Sequence, residues 1–146
     1  MKAFEFTINI NARPEKVEAI MLGPETYKEW VGVSWPGSTY EGSWQLGEDL
    51  KFAAPGQGGT LATIEVFKPH AYIQAKHIAV VNADGSLDKE SDIAKGWIGT
   101  TESYTFTEQN GGTELKVQMV TKPEWGKMFT DSMPRALDKL KELCEA

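Results

Sequence analysis

One cysteine and two histidines are all that 146 residues offer of the side chains that most often hold transition metals. The lone Cys144 excludes an internal disulfide and fits a reducing cytoplasm, the location expected for this chain. It falls near the end of the last helical pattern, as a packing residue or a fraying thiol. His70 and His77 stand seven apart without a cysteine pair, so neither a metal site nor a cofactor is expected. No nucleophile motif accompanies a histidine base. Long apolar runs are missing too, which excludes a membrane-spanning helix. The start, Met1-Lys2-Ala3-Phe4-Glu5-Phe6, alternates like a strand and lacks the apolar stretch of a signal peptide. Positive charge is scarce and scattered, and the net charge is −6. Without a concentrated cationic surface, nucleic acid and anionic membranes are not expected partners.

What is present is globular: 40% hydrophobic and 25% charged residues, with no internal repeat or linker. Residues 1–146 read as one domain.

Phe4, Phe6, Ile8 and Ile10 alternate with polar residues, the pattern of a strand with one buried face. Asn11 is placed to cap a short helix with Pro14 in its first turn, and Gly23-Pro24 separates it from a second helix running to about Trp30. Strands follow. Val33–Tyr40, interrupted by Pro36-Gly37, reads as an edge or bulged strand. Leu50–Ala54 and Thr60–Lys68 flank the turn Pro55-Gly56-Gln57-Gly58-Gly59 as a hairpin. That glycine-rich turn leads into a strand rather than opening a helix, so it is no phosphate loop. Tyr72–Val81 and Ile98–Glu108 are joined by a polar connection from Asn82 to Gly96. Within it, Asp84 to Asp92 spaces oxygen donors like a calcium loop. Lys89 and Lys95 stand where that loop needs its glycine and its bidentate glutamate, which leaves a solvated acidic loop. Asn110-Gly111-Gly112 turns the chain into Thr113–Val120.

Thr121-Lys122-Pro123-Glu124 matches a capping box before the last helix. Trp125, Met128, Phe129, Met133, Ala136, Leu137, Leu140 and Leu143 then recur every three or four residues on one face, and Pro134 is expected to kink or break the helix, with Asp131 or Ser132 recapping it. Strand, two short helices, a run of strands and a long amphipathic helix make an α+β plan. Such a sheet can curve around its last helix and leave room for an apolar guest.

Parity locates the polar groups of that interior. If Ile73, Ala75 and Val81 point inward, so does His77; if Tyr104 and Phe106 do, so does Glu102. Folding back near Lys89 brings positions 77 and 102 opposite one another, either as a polar anchor or acid–base pair in an apolar pocket, or as a structural pair at the sheet rim. Met119, Met128 and Met133 beside Trp125 and Phe129 form either an adaptable lining or ordinary core. With Trp35, Tyr40 and Tyr104, these are the candidate ligand-binding residues; no catalytic residue is assigned.

Ala12-Arg13-Pro14-Glu15-Lys16-Val17, Gly23-Pro24-Glu25-Thr26-Tyr27 with Trp30, Gly42-Ser43-Trp44-Gln45-Leu46-Gly47-Glu48, Tyr104–Glu108 with Gly111–Leu115, and Ala136–Lys141 together resemble the START-like, or SRPBCC, superfamily. The nearest branch is the one named for activators of the heat-shock protein 90 ATPase. Family members often carry Trp where this chain has Glu18. The resemblance implies a helix-grip fold: a seven-stranded antiparallel sheet, two short helices after the first strand, and a long C-terminal helix around a hydrophobic cavity. By the same analogy the expected function is binding of a small hydrophobic molecule, by a monomer or homodimer. The alternatives are an enzyme of the polyketide cyclase/aromatase type and a module that interacts with a chaperone.

Overall fold

The computed structural model describes residues 1–146. Eight strands form one antiparallel sheet: β1 (Lys2–Ile10), β2 (Thr39–Gly42), β3 (Asp49–Ala54), β4 (Gly58–Lys68), β5 (Tyr72–Val81), β6 (Leu87–Asp88), β7 (Thr101–Gln109) and β8 (Gly112–Thr121). Their order is β1-β8-β7-β5-β4-β3-β2, with the two-residue β6 paired to β5 outside that path. The seven strands of that path match the number expected, and β6 is an addition.

The apolar alternation of β1 sets its register: Lys2 to Ile10 run antiparallel against Thr121 to Thr113 of β8, with Phe4, Phe6, Ile8 and Ile10 turned inward. Asn110 and Gly111, at φ 51° and 83°, form the two-residue turn between β7 and β8, where both central residues need the left-handed region. Two register shifts in β4, at Leu61/Ala62 and Ile64/Val66, bend the strand and help the sheet curve.

Helices α1 (Pro14–Leu22) and α2 (Pro24–Gly32) follow β1 and cross at Gly23. A Cβ at Gly23 would fall 2.7 Å from Thr26 Oγ1, so glycine is what lets the helices meet this closely. Thr26 Oγ1 donates to the Ile20 carbonyl and Trp30 Nε1 to the Met21 carbonyl at 3.0 Å, closing the corner. The long helix α4 (Gly126–Glu145) buries Phe129, Met133, Ala136, Leu137, Leu140 and Cys144 on the concave side of the sheet. At Gly126 an added Cβ would lie 2.1 Å from the Phe4 ring, so this glycine brings the start of α4 down onto β1.

Several local expectations are corrected. Arg13, not Asn11, is the N-cap of α1, and the Asn11 backbone amide donates to Glu145 Oε2. Residues 33–38 are turns rather than strand, because Pro36-Gly37 delays pairing until Thr39. The capping box does not form: Pro123–Trp125 is a 3₁₀ turn capped by Lys122, and Thr121 Oγ1 is drawn 3.0 Å from Thr100 Oγ1 across the sheet. Trp125 therefore precedes α4 rather than lying on its apolar face. Pro134 does not break α4, which runs unbroken with that exposed proline inside it. The connection after β5 contains β6 and a short helix, α3 (Asp92–Trp97), capped by Ser91 Oγ accepting from the Ala94 amide. The acidic side chains there close turns: Asp84 accepts from Ser86, and Asp88 from Glu90 and Ser91.

Candidate functional site

Between the sheet and α4 lies a cavity of about 620 Å³, with 15 hydrophobic residues among its 24. That is within the range of sites for small molecules. Helix α4 contributes Met128, Phe129 and Met133; α2 contributes Tyr27, Trp30 and Val31. The sheet adds Phe52, Thr60, His77, Val80, Val81, Glu102, Tyr104 and Met119, and α3 adds Trp97. Ser34, Trp35, Pro36 and Ser38 of the loop after α2, Gln57 of the β3–β4 turn with Gly58 beside it at the start of β4, and the 44%-exposed Met128 lie at its more exposed margin.

Eight of the ten candidate residues line this space: Trp35, His77, Glu102, Tyr104, Met119, Met128, Phe129 and Met133. Tyr40 and Trp125 do not. The Tyr40 hydroxyl is turned away to donate to the Leu22 carbonyl, and its ring meets Tyr27 edge-on at 5.0 Å. Trp125 packs outside Trp97, ring centroids 5.5 Å apart, under the Lys122 ammonium. Sequence reasoning missed Tyr27, Trp30, Thr60 and Trp97. The signal for Trp97 was a tryptophan directly after an otherwise polar connection.

Charge is sparse here. Glu102 is the one carboxylate of the lining, and neither lysine nor arginine joins it. His77 Nε2 lies 3.8 Å from Glu102 Oε1, close enough for attraction but too far for a hydrogen bond. The strand register pairs Glu102 with Ala75, and the His77 amide donates to Thr100, two residues from the opposition expected. A slip of two keeps both side chains on the same face, so the pair survives it. His77 is 3% exposed, and its Nε2 has no hydrogen-bonding partner in the chain. Its Nδ1 is 2.6 Å from Thr60 Oγ1, which also accepts from Trp97 Nε1 at 2.9 Å. The His77 and Trp97 rings touch, centroids 4.8 Å apart, and Trp97 stacks on Phe129 at 6.3 Å.

Burial, and then the charge of Glu102, push the phenols of Tyr27 and Tyr104 well above the ordinary tyrosine range. Both stay protonated at neutral pH and present hydroxyls near the carboxylate. The arrangement is an aromatic and thioether pocket with one polar corner.

No family model and no curated protein matches the chain. Solved structures do match it. A protein from Mesorhizobium loti superposes with TM-score 0.76 at 15% identity, covering 97% of this chain and 96% of its own. The Aha1 dimer from Colwellia psychrerythraea gives 0.72 at 19%, covering 99% and 97%. CalU16 from Micromonospora echinospora gives 0.69 at 15%, covering 97% and 75%. The chain has the helix-grip fold. At these identities the likeness carries the architecture and no finer property.

Proposed function

We propose that this protein binds a small, largely apolar molecule between the sheet and α4, with His77 and Glu102 orienting its polar end. The observation that carries this reading is the largely apolar space of about 620 Å³ between the sheet and α4, with His77 and Glu102 at its one polar corner. Affinity would come mainly from the apolar surface removed from water, at about 25 cal/mol per Å². Native mass spectrometry of freshly purified protein is the test. The expected result is a stoichiometric adduct that vanishes on denaturation; bare protein that also fails to retain any member of an added panel of aromatic compounds would contradict the reading.

The same pair favours a second reading, an enzyme of the cyclase type in which His77 and Glu102 exchange protons with the bound molecule. Its sign would be a His77→Ala variant that still binds but no longer converts the ligand.

The likeness to the Aha1 dimer supports homodimerisation, and the sequence resemblance to activators of the heat-shock protein 90 ATPase supports contact with a chaperone. Sedimentation and pull-down with heat-shock protein 90 test them separately. No helix is long and apolar enough to cross a membrane. The single cysteine supports a cytoplasmic location.

A further inference from the structure

Resting on the cavity reading, we infer that the cavity takes an organic cation, an ammonium group carried on a flat apolar body, with Glu102 as its counter-ion. Glu102 enters the lining from β7, and Tyr104 follows two residues on along the same face. Its cross-strand neighbours are Ala75 of β5 and Met119 of β8, neither of which can cover a carboxylate with a polar group. The Glu102 side chain is 14% exposed, and its oxygens are open to the cavity. His77 Nε2 is enclosed by contrast, and bears on a guest through the carboxylate it faces 3.8 Å away.

A carboxylate in an apolar enclosure loses much of the water that stabilises its charge, and an opposite charge compensates it best. The lining holds no lysine or arginine, and the His77 imidazole is the one other group there able to carry positive charge. The remaining neighbours of Glu102 are phenols. Burial, then the charge of Glu102 and a hydrogen bond to it, keep the Tyr104 hydroxyl protonated beside the carboxylate. One such donor occupies one of about four lone-pair positions, and the others stay free for a guest. Tyr27 is kept protonated by burial and the same charge, so neither phenol adds a charge of its own. Their rings add to the attraction. Trp30 and Phe52 pack 5.8 and 6.1 Å from the Tyr27 ring, and aromatic faces draw a cation. A guest carboxylate would set a second negative charge beside Glu102, and a hydroxyl brings none to balance it. The net charge of −6 favours a cation at longer range. The stacked Trp97 and Phe129 rings favour a flat body over a flexible chain.

Calorimetric titration at neutral pH with 2-naphthylmethylamine, 2-naphthalenemethanol, 2-naphthol and 2-naphthoate tests the selection. The amine and 2-naphthalenemethanol share one skeleton and differ in an ammonium against a hydroxyl. The expected result is that the amine binds about tenfold or more tightly than either alcohol, with 2-naphthoate the weakest. Equal affinity for the amine and 2-naphthalenemethanol overturns the cation selection and leaves the cavity reading standing. If none of the probes binds, both readings fall. Glu102→Gln keeps the size of the side chain and removes its charge. In that variant the amine should lose its advantage, while retained binding of 2-naphthalenemethanol shows the cavity intact. An advantage that survives Glu102→Gln overturns the assignment of Glu102 as counter-ion. Should the variant fail to fold, the ratio of amine to alcohol affinity in the unaltered protein still decides the selection.

Discussion

Glu18 shows how much one residue does outside the cavity. It sits on α1 and is 7% exposed. Its Oε2 lies 2.6 Å from His70 Nδ1 and accepts from the His70 backbone amide at 3.1 Å. His70 has φ 62°, a left-handed turn between β4 and β5 that is unfavourable for a residue with a Cβ. The carboxylate thus tethers the turn to α1, although Oε1 is left buried without a partner. Glu18→Ala is expected to lower stability by about 1–3 kcal/mol in urea unfolding, the cost of orphaning the amide it caps. His70→Gly should recover part of that loss by relaxing the turn. The tyrosines make a second prediction at this scale. Tyr27 and Tyr104 ionise less readily folded than unfolded, so the native state holds their protons longer. Their stabilisation is complete below the unfolded value near 10 and is lost as pH rises above it. Cys144, whose thiol burial pushes from about 9 up to about 11, acts in the same direction from pH 9 upward. The unfolding midpoint should therefore fall steeply above pH 9, with tyrosinate absorbance at 295 nm appearing together with loss of structure. Ordinary titration of every tyrosine in a protein that stays folded would contradict this. Tyr104→Phe should flatten the decline.

Regular elements were readable wherever local pattern and burial agree. Tyr72–Val81 is a strand over the span its alternation predicts, and the α1–α2 break falls at Gly23-Pro24 as proline geometry requires. Capping failed as a guide because caps depend on competition from partners distant in sequence. Thr121 Oγ1 met Thr100 Oγ1 across the sheet. Pro134 belongs to the same lesson. It deletes one amide donor and crowds the preceding turn, yet packing of Phe129, Met133, Ala136 and Leu137 against the sheet carries α4 through it. Pro134→Ala restores the missing donor at an exposed position and should raise stability by about 1–3 kcal/mol in urea unfolding. A lower midpoint would mean that the proline bend is what fits α4 to the curved sheet.

At the scale of the whole molecule, the order of elements was enough to anticipate a sheet wrapped around its last helix, because each amphipathic face must be buried and few arrangements bury all of them. The polar corner was legible by parity: His77 and Glu102 share a face in any register shifted by an even number of residues, as the observed two-residue slip is. The volume between sheet and helix was not legible, since a few exchanges of large and small side chains open or close it. Nor was the part of Trp97, which reaches the cavity through the short helix α3 in a connection that reads as loop. The Trp97–Thr60–His77 chain spans three separate segments, and three-dimensional structure alone joins them. A crystal structure of the protein with 2-naphthol tests the central claim most directly. The account predicts the ring between the sheet and α4, beside Trp97 and Phe129. A cavity without the probe in crystals grown at saturating concentration, or a ring seated elsewhere on the protein, would contradict it.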